Sequence, residues 1–173
     1  LLEEMSGYYY LSSFWKLTNT AQEAHFIAAT GVNKIEALAN MFRGWGLDFI
    51  VAVDDDKQGR EAFKSIKKEM FGDDETLASQ KLLKLPDCPG IEDVFSKSDF
   101  KKFVLEDEQA GITGTNAEYL KSAGRSKPVL AFQFALSVSE DKVKWADFEQ
   151  STKDKITVVV TAITSRLNAH QAN

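Results

Sequence analysis

The stretch Asp48-Phe49-Ile50-Val51-Ala52-Val53, running straight into Asp54-Asp55-Asp56-Lys57-Gln58-Gly59, decides the fold. Phe49 to Val53 is apolar at successive positions and includes β-branched residues. That is the pattern of a strand covered on both faces, as in a parallel sheet. Working outward, Leu1-Leu2 reads as the end of a strand, and Tyr8, Leu11, Phe14 and Trp15 recur at helical spacing up to Leu17. His25 to Ala29 reads as a short buried strand, broken by Thr30, Gly31 and Asn33, with Asn33 the expected helix N-cap. Ile35, Leu38, Ala39 and Phe42 make the next amphipathic helix, ended by Gly44 or Gly46. Downstream, Gly59 to Phe71 reads as a helix with Ala62, Phe63 and Ile66 on one face, and Lys81 to Leu85 as a strand stopped by Pro86 and Pro89.

Strands alternating with helices imply right-handed crossovers and a parallel sheet, here of about four strands with flanking helices. From Ile91 onward helical patterns dominate: Ile91 to Phe95, Asp99 to Leu105, Ala117 to Ala123, Val129 to Ser137, and Phe148 to Asn168. Val158-Val159-Val160 locally favours a strand. The expected organisation is an α/β domain over residues 1–90 and a small helical subdomain over 91–173. The chain opens inside a strand, so it reads as the C-terminal part of a longer protein.

With 173 residues the chain is long enough to hold a core without disulfides or metals. Its net charge of −5 excludes a generally basic nucleic-acid coat, though not a local basic patch. One cysteine, Cys88, allows no intrachain disulfide and reads as a packed thiol, and His25 and His170 are too few for a histidine metal centre. No apolar run is long enough for a membrane span, and no signal peptide is visible, so a cytoplasmic location is the default.

A buried strand that delivers three acids at its C-terminal end is the sharpest feature. Doubly wound sheets place their sites at that edge. Alternation along extended chain points Asp54 and Asp56 to the same side. Converging carboxylates repel unless a cation joins them, and hard oxygen ligands suit Mg²⁺ or Mn²⁺. The plainer reading is a solvated loop with an N-cap for the next helix. The apolar strand before the acids and Gly59 after them favour a site. Glu3, at the end of the first strand, would face the aspartates if the first and third strands are neighbours. A first-turn acid favouring the helix dipole explains it as well.

Taken together, Leu2-Glu3-Glu4-Met5-Ser6-Gly7 and Asp54-Asp55-Asp56-Lys57-Gln58-Gly59 resemble the TOPRIM fold, whose strands end in Glu-Gly and in Asp-x-Asp-x-x-Gly. The tyrosines of Ser6 to Tyr10, Gly31-Val32-Asn33-Lys34-Ile35, Gly90-Ile91-Glu92-Asp93-Val94-Phe95 and Lys127-Pro128-Val129-Leu130-Ala131 resemble the OLD-family (overcoming lysogenization defect) nucleases. The resemblance covers most of the chain to about residue 137. It implies a DNA endonuclease or nickase domain that follows an ATPase domain or subunit absent from this chain, in a homo-oligomeric protein of bacterial anti-phage defence. It implies one or two Mg²⁺ or Mn²⁺ ions held by Glu3, Asp54, Asp56, Glu92 and Asp93, and a transition-state-stabilising Lys127, so that Glu3, Asp54, Asp56 and Lys127 form the catalytic set. Two departures stand out. Glu4 replaces the family's glycine, and Gly7 stands where an acid is usual, which puts one metal site in doubt.

Lys57, Arg60, Lys64, Lys67 and Lys68 line the helix after the aspartates. A solvated face is their plain reading, and contact with nucleic-acid backbone, through Lys57 and Arg60 above all, is the functional one. Arg125 beside Lys127 would extend the basic patch. The competing function is a degenerate TOPRIM module that binds without cleaving, favoured by Gly7 and the acidic charge. A topoisomerase- or primase-type fragment is a third reading, against which the helical tail and Glu92-Asp93 argue. No Walker-type glycine loop is present, so this chain alone is not expected to hydrolyse ATP.

Overall fold

A computed structural model describes residues 1–72, 74–86 and 89–171, without the side chains of residues 32, 33, 170 and 171. Cys88 and the side chain of His170 therefore lie outside the described residues. The protein is mixed α/β and mostly helical. Its elements run α1 (Met5–Leu17), α2 (Val32–Gly44), β1 (Val51–Val53), α3 (Lys57–Ile66), α4 (Glu75–Lys81), β2 (Leu82–Lys84), α5 (Lys97–Asp99), α6 (Asn116–Ser122), α7 (Lys127–Ser139) and α8 (Gln150–Gln171). Among the described residues no helix is long and apolar enough to cross a membrane.

β1 and β2 pair in parallel, Val51 with Leu82 and Val53 with Lys84. This two-stranded sheet replaces the expected four strands. The other two segments touch it only through single bridges: Leu2 pairs with Ala52 on one side and with Ala28 on the other, both in parallel. The reason is local. After Leu2 the chain has only Glu3 and Glu4 before α1 begins, and after Ala29 it turns through Thr30 (φ 57°) and Gly31 (φ 121°). The ladder cannot lengthen. The bonds that remain, Leu2 N–H to the Ile27 carbonyl (2.8 Å), Ala29 N–H to Leu2 (2.7 Å) and Ala52 N–H to Leu1 (2.9 Å), still hold the segments in the order 27–29, 1–3, 50–53, 82–85.

Alternation along these segments builds two cores. Leu1, Val51, Val53 and Leu82 face α2, α3 and α4, where Ile35, Ala39, Ala62, Ile66 and Ala78 meet them. Leu2, Ala52 and Leu83 face α1 and the C-terminal helices. That second core is aromatic: Phe95 lies 5.4 Å from the Tyr10 ring, 5.6 Å from Phe14 and 5.1 Å from Phe134. It runs unbroken across residue 90, because α1 packs along α7. Lys16, at the end of α1, donates to the Val138 and Ser139 carbonyls at the end of α7, both at 3.1 Å. The two helices are therefore parallel.

Two local readings are corrected. The α2 N-cap is Gly31, not Asn33, since only glycine readily takes its positive φ. The helix after the aspartates begins at Lys57, because Asp56 caps it, and it continues through a π-helical turn at Lys67–Phe71. Val158 to Val160 are helical: Val159 and Val160 are buried while Val158 is 46% exposed, so packing overrides local β preference.

Candidate active site

Three of the expected acids lie at or just beyond the carboxyl ends of the sheet segments. Glu3 ends the first extended segment, Asp54 follows β1 directly, and Glu92 lies in a short 3₁₀ turn (Ile91–Val94) reached from β2. A cleft of about 20 Å³, lined by Glu3, Glu4, Ser6, Gly7, Asp54 and Ile91 among others, opens beside Glu3 and Asp54. That is room for about one water molecule.

Glu92 is fully buried, yet only one of its oxygens is engaged: Lys127 Nζ donates to Oε2 at 3.2 Å, and Oε1 has no hydrogen-bond partner. Such an orphaned buried oxygen is costly unless a cation or proton meets it. Burial pushes the Glu92 carboxyl upward, against the pull of Lys127. Asp54 is pushed up to about 8, first by burial and then by Glu92, with Glu3 and Asp56 adding to it and Lys127 opposing. Glu3 is raised by burial, by Glu4 and by Asp56. The charges that act on Glu3, Asp54 and Glu92 place these three, with Asp56 beside them, in one electrostatic neighbourhood with Lys127. Burial alone would lower the Lys127 ammonium, but Glu92, Glu4 and Asp54 hold it above its ordinary value. Lys127 is therefore a fixed positive charge.

The residues differ in how free they are. Asp56 Oδ1 accepts from Gly59 N–H at 2.6 Å, so the plainer N-cap reading holds for that oxygen. Gly59 is required there, because a Cβ would run into the Asp54 carbonyl oxygen. Asp93 Oδ1 accepts from the Asn116 N–H (2.6 Å) and the Ala117 N–H (3.4 Å), anchoring the start of α6, while its Oδ2 is buried without a partner. Arg60 and Lys57 are exposed, and Arg60 is drawn back to Asp55, donating to its carbonyl and lying 3.4 Å from its carboxylate. Lys67 is paired to Glu75 at 2.6 Å. Arg125 is exposed, two residues from Lys127.

Two residues that sequence reading passes over support the site. Asn116 donates its amide to the carbonyls of Glu92 (2.9 Å) and Phe95 (3.0 Å), fixing the turn that carries Glu92. It follows Thr115, which forms a capping box with Glu118. That Thr-x-x-Glu spacing is visible in the sequence and marks the helix start. Tyr10 buries a hydroxyl with no partner, and burial and Glu92 together raise it well above its usual range.

An all-carboxylate donor set with an orphaned oxygen fits a hard divalent cation. Among the described residues, no group of three or more His, Cys, Asp or Glu side chains is gathered closely enough to hold a metal ion as it stands. Comparison with family models, with curated proteins and with solved structures finds no match.

Proposed function

We propose that this chain is a divalent-metal-dependent phosphodiesterase domain acting on DNA, built on a TOPRIM-like arrangement of the kind found in OLD-family nucleases. The order of parallel segments, 27–29, 1–3, 50–53 and 82–85, with acids at their carboxyl ends, supports that arrangement. One observation carries the reading. Glu92, fully buried and half-satisfied by Lys127, faces the same neighbourhood as Asp54 and Glu3, which come from separate segments of the chain.

In this reading Glu3, Asp54, Asp56 (through Oδ2) and Glu92 (through Oε1) hold Mg²⁺ or Mn²⁺. When bound, the ion lowers the pKa of a water and stabilises charge on phosphate oxygens. The chain supplies the rest. Lys127, anchored by Glu92, presents a permanent positive charge to a non-bridging phosphate oxygen, which gains negative charge as water adds to phosphorus. The bond to the leaving oxygen then breaks, and that oxygen takes up a proton. α1, whose first turn lines the cleft, directs the positive end of its dipole at the anion. Asp93 and Asn116 position Glu92.

Nicking of supercoiled plasmid in Mg²⁺ or Mn²⁺ tests this. The parent chain should nick, and Asp54→Asn should lower the rate by at least about 100-fold, the size of effect that loss of a key electrostatic group produces. Undiminished nicking by Asp54→Asn overturns the assignment. A second reading, a module that binds DNA or a partner without cleaving, is favoured by Gly7, where the family's acid is missing. Divalent-ion binding by calorimetry with no nicking in any metal would select it.

A further inference from the structure

A groove of about 490 Å³ lies between α1 and the segment 20–26, walled by Tyr8, Ser12, Trp15, His25 and Phe26. On α1 the spacing is four and then three, so at about 100° per residue Tyr8, Ser12 and Trp15 fall within about 60° of one another. Glu4, the N-cap of α1, precedes Tyr8 by four residues and lines the acidic cleft, as does Gly7. Groove and cleft therefore adjoin on one helix, with about 16 Å of rise from Glu4 to Trp15. The rings of the groove are held in place. The Trp15 indole N–H donates to the Gln22 carbonyl at 2.7 Å, and the ring meets Phe26 edge-on at 5.3 Å. Tyr8 meets Tyr9 edge-on at 5.2 Å. An edge-on neighbour covers at most one face of a ring, and Tyr8, Trp15 and Phe26 are all partly exposed. Ser12 and Asn19 add groups that both donate and accept hydrogen bonds, and Lys16 adds an ammonium.

We infer that this groove holds unpaired nucleotides of a DNA strand beside the bond that is cut, with base faces against Tyr8, Trp15 and Phe26. The inference rests on the phosphodiesterase reading above and names its substrate class: single-stranded DNA, or DNA with unpaired nucleotides next to the scissile bond. Aromatic faces flanked by amide and hydroxyl groups match a nucleobase, which has a π-face and a polar edge. In a duplex the bases already stack on one another and offer no free face, so the bound strand is unpaired. A path of about 16 Å spans several nucleotide steps of about 3.4 Å, more than a free mononucleotide fills. Charge agrees. Among the described residues of the wall Lys16 is the one lysine, and it is tied to the Val138 and Ser139 carbonyls and lies 3.4 Å from Asp141. Neutralising phosphates is therefore a small part of the affinity in this groove. Stacking supplies the larger part, at about five- to 100-fold per base.

Fluorescence anisotropy of the full chain in Ca²⁺, with a labelled oligodeoxythymidine of about 12 nucleotides and with the same strand in duplex, tests this. The single strand should bind at least about tenfold more tightly than the duplex. Tyr8→Leu and Trp15→Leu should each weaken single-strand binding about five- to 100-fold, whereas Tyr8→Phe, which keeps the ring, should bind as the parent does. Trp45→Leu, which removes an exposed tryptophan (66%) outside the groove, should also bind as the parent does. If Trp15→Leu fails to fold, Tyr8→Leu, at a partly exposed position of α1, decides the matter. A parent that binds no single strand, equal binding of strand and duplex, or undiminished binding by a folded Tyr8→Leu would each overturn the inference. Plasmid nicking in Mg²⁺ or Mn²⁺ separates it from the reading it rests on. Single-strand binding without nicking in any metal upholds the groove and rejects cleavage, and nicking without preference for the single strand rejects the groove alone.

Discussion

At the edge where the strands end, Glu3, Asp54 and Glu92 share the single ammonium of Lys127. At the edge where they begin, an apolar cleft of about 460 Å³ is walled by Leu1, Phe42, Leu47, Phe49, Ile50 and Leu167. The polar groups near that second edge are matched. Lys81 pairs with Asp48, and Arg166 donates to the carbonyls of Ser79 and Leu82. The carboxyl edge instead retains buried oxygens on Glu92 and Asp93 with no partner. One sheet thus has a settled end and an unsettled end. The unsettled end is where stability is given up, as expected of a site that awaits a ligand.

The ion pairs of the two ends should differ most under mutation. Lys127→Met strands the fully buried Glu92 carboxyl, and breaking such a pair should cost about 3 kcal/mol. Lys81→Met removes a partner from Asp48, whose side chain is 56% exposed, and should cost less than about 1 kcal/mol. Urea unfolding of both variants at pH 8 in chelator measures the difference. Equal costs would mean that Glu92 is already neutral there, and the contrast between the edges would fail.

A smaller effect, visible without mutation, follows from the raised carboxyls. Asp54 moves from 3.8 to about 8 on folding, and Glu3 and Glu92 are also raised. A folded state that keeps protons the unfolded chain has released loses stability as pH rises. The contribution is intact below about pH 4, declines through the window to about pH 8, and is gone above it. Thermal melts in chelator should therefore fall across that window. Added Mg²⁺ or Mn²⁺ should restore the melting temperature most strongly near pH 8, because the cation replaces the protons. A metal-free melt that is flat between pH 5 and pH 8 would remove the electrostatic basis of the site.

The legible parts of this molecule are those set by near neighbours in the chain. The run from Phe49 to Val53 and the acids after it show a buried strand and its outlet. Helices α1, α7 and α8 follow from apolar spacing, and a Pro at the second position suits the start of α7. Sheet width was not legible. Whether Leu2 extends into a strand depends on how soon α1 and the Thr30-Gly31 turn take the chain away. Helix α4 leaves little trace in the sequence because its seven residues have no strong apolar period, only an Asp74 cap on Leu77 N–H at 2.8 Å. Nor does the segment Ile91-Glu92-Asp93 show that Glu92 is fully buried. That depends on Asn116 and Lys127, brought from 24 and 35 residues away.

Gly7 offers the mildest way to sharpen the comparison. It lines the acidic cleft from the first half of α1. A Cβ placed there would meet only Leu2, at 3.8 and 3.9 Å, so a longer side chain enters without a clash. Gly7→Glu returns a carboxylate to the position where the resembled family carries one. It also replaces a poor helix former, and that change alone should stabilise α1 by about 0.5 kcal/mol. In chelator, repulsion from Glu3 and Glu4 should offset that gain, leaving the unfolding midpoint nearly unchanged. In Mg²⁺ the added ligand should raise the midpoint and tighten the ion, with calorimetry reading a lower dissociation constant or a second ion bound. A variant stabilised equally with and without metal would show that Gly7 faces the helix's own needs rather than the site.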